Sequence, residues 1–576
     1  MKESIINKMK NDDKILRIIM AIFVYLLFHI NGIIVPYNPI SWSLLVLLVM
    51  FYLRVDIYNK KYIKSSLIFS IVFSLLMFIG GVTYNVIAES IITMLISFVG
   101  IYIVFYTIII NLLPKLCEVD CLSNSKNNKY LKLFVISFIV IFISWIPYFL
   151  SLYPAVITDD STGSIETVFY NFSQLSNHHP IIYAFTIAIP FKLGYLIFRN
   201  SNAAIACYAI VQMIIMASIF SYLVVFLAKK NIKKIYLVLC ILYFSLIPMH
   251  GYFSVTIWKD IIFAGLIVLF TIKIIKICDK YEVLKFRDLI SFIIISLLVI
   301  LYRNNAIYMY FIFSIFMLIF LKDKIKIVFL SLIIVLSSYY MIVGPIFSYY
   351  HVANSSSAEY IAIPLQQVGR MAYENVKFTK NEKKILDKLI GVEKLKIIYN
   401  PITVDDIKFN ESYNRDYFNA HKTELFLLWV KLTIQHPVIA TKAYLVQTLG
   451  YWYPGVNYWS VHKGVAINSI GLRSTPKGPK VLDRYASRIE DRTFPFVNMT
   501  WSTSLAYWIL GLFGYVCIRK KVKRYILAYV PVFGVWLTLM VATPVFAEFR
   551  YIYSVYTCLP LLMLLPYFKD KKIKNK

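Results

Sequence analysis

Apolar residues in this chain come in blocks of roughly 15–25, the length of a helix that crosses the hydrocarbon core of a bilayer. The blocks fall at 15–35, 42–53, 65–82, 91–113, 131–150, 203–227, 235–252, 261–278, 289–301, 306–321, 325–346, 501–518, 525–541 and 551–567. The pattern predicts an all-α polytopic membrane protein of about fourteen spanning helices. A further apolar stretch, 180–194, is opened by Pro180 and interrupted by Pro190. It is expected to lie on the outer leaflet, as a surface helix within a single outer loop over 151–202. The interval 347–498 mixes charged and amphipathic stretches. It is too polar to span and too long for a connector, so a small, mainly helical extracytoplasmic domain is expected there. The divisions that follow are N-terminal helices over 1–130, a core over 131–346, the outer domain over 347–498 and C-terminal helices over 499–576.

Positive charge orients the threading. One connection holds Arg54, Lys60, Lys61 and Lys64, another Lys229, Lys230, Lys233 and Lys234. A third holds Lys273, Lys276, Lys280, Lys285 and Arg287, a fourth Arg519, Lys520, Lys521, Lys523 and Arg524. Lys569, Lys571, Lys572, Lys574 and Lys576 end the chain, while 36–41 and 83–90 carry no Lys or Arg. All the basic connections are cytoplasmic if both termini are, and only if 180–194 does not span. The expected location is thus the cell membrane, multi-pass.

Composition agrees. A hydrophobic share of 59% with 17% aromatic residues excludes a soluble globular protein. Lys+Arg of 60 against Asp+Glu of 30 gives a net charge of +30, which on a soluble chain would suggest nucleic acid. Here the excess is topological, and no nucleic-acid partner is expected. Of the seven cysteines, Cys207, Cys240, Cys517 and Cys558 lie in apolar blocks as packing residues. Cys117 and Cys121 have no second pair to complete a zinc site, and 347–498 holds no cysteine for a disulfide. No small-residue cleavage site follows the first block, which reads as an anchor. Inner connections are short, with no glycine-rich phosphate loop and no internal repeat, so there is no cytoplasmic catalytic domain.

The polar residues that interrupt the apolar pattern all thread to the outer face, where ionisable groups must be paired or wet. Asp159-Asp160-Ser161 follows a span and offers a general base or a metal ligand; the alternative is a helix N-cap. Asn177-His178-His179-Pro180 suits metal or phosphate contact, or an interfacial turn. Trp258-Lys259-Asp260 is either an aromatic anchor with a snorkelling lysine or an ion pair that orients a phosphate. Arg303-Asn304-Asn305 needs an anionic partner, a protein acid or a lipid phosphate. Glu548 and Arg550 pair with each other or face the same outer cavity. In the outer domain Gln366, Gln367 and Arg370 could also face it. The run Tyr451-Trp452-Tyr453-Pro454, with Trp459, is expected to be an interfacial aromatic belt rather than a sugar platform.

These pieces resemble the GT-C class of membrane glycosyltransferases, such as the protein O-mannosyltransferases and the aminoarabinose transferases of lipid A. In that class an outer loop carries an acidic motif soon after a span, then surface helices, then a His-Pro element; Asp159-Asp160 and His178-His179-Pro180 match that order. The chain also resembles a group of uncharacterised bacterial polytopic proteins near this class, with elements matching Asp160-Ser161, His178-His179-Pro180, Trp258-Lys259-Asp260, Arg303-Asn304-Asn305 and Glu548-Phe549-Arg550-Tyr551. The resemblance runs from about residue 131 to the C-terminus and leaves the first four blocks unmatched. The usual acidic pair is Asp-Glu, and the usual proline before the acid is Asp159 here, which makes Asp160 the expected catalytic residue.

The resemblance implies an inverting transfer of a sugar from a polyprenyl-phosphate-linked donor to a cell-wall polymer, lipid or glycan acceptor at the outer face. Asp160 takes the acceptor proton, Lys259, Arg303 and Arg550 stabilise the leaving phosphate, and His178 or His179 positions phosphate or acceptor. A divalent metal on Asp159 and Asp160 is one option, basic residues without a metal the other. The alternatives are a flippase for lipid-linked sugars, an outer-face polysaccharide polymerase or ligase, and a non-catalytic scaffold.

Overall fold

The computed structural model describes residues 2–34, 38–87, 90–124, 129–170, 172, 175–177, 180–353, 361–456, 458, 461–482 and 500–569. His178, His179 and Trp459 lie outside them. The chain is all-α; isolated bridges, such as Val156 with Thr256 and Ile157 with Val465, stand where strands would be among the described residues.

The N-terminal part contains α1 (Lys2–Ile30), α2 (Pro39–Arg54), α3 (Ile63–Thr83), α4 (Ile91–Glu118) and α5 (Tyr130–Ser151). Then come α6 (Asp159–Phe169), α7 (Ile181–Phe198), α8 (Ser201–Lys229), α9 (Lys234–Leu246), α10 (Pro248–Ser254), α11 (Lys259–Asp279), α12 (Phe286–Tyr302), α13 (Ala306–Phe320) and α14 (Ile325–Met341). The main helices beyond are α15 (Ala362–Tyr373), α16 (Lys380–Leu389), α17 (Lys422–Gln435) and α18 (Pro437–Thr448), then α19 (Leu505–Arg519), α20 (Val530–Ala542) and α21 (Tyr553–Leu564).

Among the described residues eight helices are long and apolar enough to cross a membrane, or nine if α9 and α10 form one span bent by 54°. This is fewer than the fourteen apolar blocks. The helical parts Ile40–Arg54, Ala306–Phe320, Leu505–Arg519 and Val530–Ala542 are too short to span alone. Local chemistry ends them early. Pro248 supplies no N–H to the α9 ladder, and Lys523–Ala528 winds as a 3₁₀ turn before α20.

The 18-residue α7, over the stretch expected as a surface helix, is one of these eight by length and apolarity. It packs closely against α8. The Tyr183 ring lies 6.4 Å from those of Tyr208 and Tyr302. Gly194, eleven residues on, packs so closely on α8 that a Cβ would meet the Ala204 Cα at 3.0 Å.

The central helix is α11, 83% buried over its apolar window. Its last residue, Asp279, takes Lys230 at 2.5 Å and the Tyr525 hydroxyl at 2.6 Å. Lys233 pairs with Asp120, Lys280 with Asp288 and Arg524 with Glu282 at this same end of the bundle. The first residues of α11, Lys259 and Asp260, lie at the opposite end. The segment 361–448 builds its own hydrophobic core from Leu365, Met371, Leu386, Phe418 and Leu432. By contrast Tyr451, Trp452 and Tyr453 belong to the bundle core.

Candidate functional site

Two lacing contacts bring the acidic loop to the start of α11. Val156 N–H donates to Val255 O at 3.0 Å, and Ile257 N–H to Val156 O at 2.9 Å. On its other side Ile157 N–H donates to Gly464 O at 3.0 Å, and Ala466 N–H to Ile157 O at 2.8 Å. The loop then enters α6, whose N-cap is Thr158 and neither aspartate. Ser161 Oγ accepts from Thr158 N–H at 3.3 Å, and the Trp258 indole N–H donates to Thr158 Oγ1 at 2.7 Å. With the cap supplied by neighbours, the Asp160 carboxylate pairs with Arg550 Nη1. Asp159 is exposed, and its carboxylate makes no contact among the described residues.

Arg550 sits on a 3₁₀ turn, Phe549–Ile552, that opens α21. The loop before it is pinned by Tyr451, whose hydroxyl donates to Val545 O at 2.9 Å and accepts from Glu548 N–H at 3.1 Å. Gly450 allows the close approach: a Cβ there would lie 2.4 Å from the Ala547 Cβ. Tyr451 to Tyr453 are thus neither a membrane belt nor a sugar platform. All three are buried packing residues, and Tyr451 fixes the 545–548 loop. Arg550 also lies 3.5 Å from Glu548 Oε1 and stacks over the rings of Trp258 and Tyr551 at 5.0 and 5.1 Å.

The second pair lies beside the first. Arg303 Nη1 is 3.3 Å from Asp260 Oδ1 and donates to Tyr551 O at 3.3 Å; its guanidinium covers the Phe263 and Tyr551 rings. Asp260 is buried, with 2% of its side chain exposed against 11% for Arg303. Tyr551 touches both arginines and so joins the two pairs. Lys259 lies within the fields of Asp260, Asp160, Arg550 and Arg303. Asn304 donates to Asn177 O at 2.7 Å, which ties the backbone just before His178 to the same end.

Three expected residues are placed elsewhere. Arg370 pairs with Glu374 at 2.7 Å on its own helix. Gln366 donates to Asn400 O, and Gln367 bridges Ala440 O and the Trp429 indole. All three are occupied by the packing of the 361–448 domain. In the other direction, His462 enters the site without any sequence signal. Its ring meets Trp258 edge-on at 5.2 Å, and burial together with the Arg550 charge pushes its pKa down to about 4, against the opposing pull of Asp160. It is therefore neutral near pH 7. Among the described residues no group of three His, Cys, Asp or Glu could hold a metal ion.

Glu548 is 3% exposed, and burial raises its carboxyl to about 7; the Arg550 charge opposes that rise, and Asp160 and Asp260 add to it. The site thus holds three carboxylates against Lys259, Arg303 and Arg550, with one carboxylate half-protonated near neutrality. The sign of the linkage is fixed. Below the unfolded value of 4.5 both states carry the proton. Between that value and about 7 only the folded state does, so stability falls as pH rises; above it the cost, about 3 kcal/mol, is complete. Glu548→Gln should remove this slope. Unfolding midpoints of the wild type in detergent should drop relative to the variant between pH 5 and 8, whereas parallel curves would mean that Glu548 ionises as an ordinary glutamate.

Helices that can span a bilayer, with a paired ionic cluster at one end of their bundle, define a multi-pass α-helical membrane protein. The chain belongs to DUF6020, a family of unknown function, whose sequence profile matches residues 170–576. That match takes in Lys259, Asp260, Arg303, Asn304, Glu548 and Arg550 and begins after Asp160. Comparison with curated proteins and with solved structures returns no match.

Proposed function

We propose that this chain is a GT-C-like glycosyltransferase that moves a sugar from a polyprenyl-phosphate donor to a cell-envelope acceptor at the outer face of the membrane. The observation that carries the reading is the Asp160–Arg550 pair, set beside Arg303 and Lys259 at the end of the bundle opposite the basic connections. Basic connections stay cytoplasmic, so that end is the outer one, beyond the reach of soluble nucleotide sugars. A lipid-linked donor can reach it.

In the ligand-free site Arg550 holds Asp160. A donor phosphate entering beside Arg303 and Lys259 competes for Arg550 and releases the Asp160 carboxylate as a base. The acceptor hydroxyl gives its proton to Asp160 as its oxygen attacks the anomeric carbon. The bond from that carbon to the phosphate oxygen breaks, and the phosphate leaves with the electron pair. Once Arg550 has turned from Asp160 to the phosphate, Lys259, Arg303 and Arg550 take up the developing charge. Trp258 and Tyr551 hold the Arg550 plane, and neutral His462 lies near the acceptor side as a hydrogen-bonding group.

The test is release of labelled sugar from polyprenyl-phosphate sugars by the purified protein in vesicles with envelope acceptors. Transfer by the wild type and its loss in Arg550→Ala support the reading. A wild type that moves the lipid-linked sugar across the bilayer without breaking the sugar–phosphate bond would replace the transferase by a flippase.

A further inference from the structure

An apolar groove of about 510 Å³ opens between α13, α19 and α20. Its floor is made by Gly511 and Gly514, where an added Cβ would meet nothing within 4 Å. Its walls include Phe533 and Trp536 of α20 and Ile312 and Phe316 of α13. On α19 the stripe continues one turn beyond the groove, at i−4 from Gly511, to Tyr507. The Tyr507 ring packs on Phe533 and Trp536 at 5.8 and 6.2 Å. Its hydroxyl is buried and has no hydrogen-bond partner among the described residues. A buried hydroxyl left so costs free energy unless something else satisfies it.

The groove has a polar end. Helices α19 and α13 both begin at the site end of the bundle, and α20 finishes there, so Tyr507 and Trp536 mark the end of the groove nearest the ionic cluster. Arg303 is the cation whose field acts most strongly on the Tyr507 hydroxyl. Arg303 makes both its contact to Asp260 and its hydrogen bond to Tyr551 through Nη1, so among the described residues its planar fork is not filled. Trp536 is held in place by its indole N–H, which donates to Tyr451 O at 2.8 Å. The groove therefore ends against the Tyr507 ring, which packs on two of its lining side chains at the end of the bundle that holds Arg303.

From this placement we infer that the groove takes the hydrocarbon chain of an isoprenoid phosphate, and that Tyr507 donates its hydroxyl proton to a phosphate oxygen shared with Arg303. The inference deepens the transferase reading and rests on its lipid-phosphate donor. A single groove floored by two glycines accepts one chain, which favours a polyprenyl over a diacyl lipid.

The test uses a photoreactive polyprenyl monophosphate without sugar, added to the purified full-length protein in phosphatidylcholine nanodiscs. The crosslinked peptides are read by mass spectrometry. Labels should fall on α19 and α20. Gly511→Leu fills the groove from a position with open space, so it should keep the wild-type unfolding midpoint while losing most of the label. Tyr507→Phe should weaken labelling about tenfold, the effect of one hydrogen bond to a charged group. Excess polyprenyl phosphate should compete, and polyprenol or dioleoyl phosphatidate should compete poorly. Label retained in Gly511→Leu, or equal competition by phosphatidate, overturns the assignment. Because the probe carries no sugar, labelling without any transfer activity keeps the groove and removes the transferase, and transfer without labelling does the reverse.

Discussion

Asp160→Asn is expected to lower the rate of sugar transfer by roughly 10²–10⁴-fold while leaving the protein folded. Asparagine keeps the shape of the side chain and can still accept from Arg550, but it cannot take the acceptor's proton. Stability should hardly change. The Asp160 side chain is half exposed, so its ion pair lies where such pairs contribute little, and Thr158 rather than Asp160 caps α6. Arg550 keeps Glu548 and its seat over Trp258 and Tyr551. Asp159→Asn should be mild, because that carboxylate faces solvent. The assay is initial-rate transfer from a polyprenyl-phosphate sugar, with the unfolding midpoint measured in parallel. Near-normal transfer by Asp160→Asn would remove the base assignment; equal losses in both variants would point to a shared role for the two acids instead.

Asp260→Ala is expected to be the most damaging single change to the fold, at about 3–5 kcal/mol, the usual cost of leaving one member of a buried ion pair alone. Arg303 would keep only the Tyr551 carbonyl and two aromatic faces. The double variant Asp260→Ala with Arg303→Met should recover much of the loss, since the cost lies in the orphaned charge rather than in the missing attraction. Denaturant unfolding of both in detergent measures this. A single-variant loss of about 1 kcal/mol or less would mean that water reaches Arg303 and that the pair behaves like a surface one.

The site was partly legible in sequence because of a solvent argument. Charged residues next to apolar blocks are costly in hydrocarbon, so those that persist mark boundaries and cluster where they can pair. Asp160, Lys259, Asp260, Arg303, Glu548 and Arg550 could be gathered to one end of the bundle on that ground alone. Their pairing could not. Asp160 and Arg550 stand 390 residues apart, and nothing local to either motif says that Arg550 takes Asp160 as well as the nearby Glu548. His462 was invisible for the same reason: it reaches the site through the backbone bridges between 157 and 464–466, which carry no periodic signal. Arg370, Gln366 and Gln367 were misplaced because a polar stretch looks alike whether it faces a site or satisfies its own domain.

Taken alone, the sequence determined that the chain is all-α and lies in a membrane, where its apolar helices run, and that its basic connections sort to one end. Each of these follows from the free energy of placing side chains in hydrocarbon or water, a property of composition and order along the chain. Only the tertiary structure decided that fewer helices are long enough to span than there are apolar blocks, because turns and prolines break the runs locally. It also decided that Thr158 is the N-cap of α6 while Asp160 pairs with Arg550, that Tyr451 is a strut for the Glu548–Arg550 loop, and that a glycine-floored groove ends at Tyr507. Those outcomes depend on which distant side chain arrives within hydrogen-bond or packing distance, and that is a property of helices docked against one another rather than of any single stretch of chain.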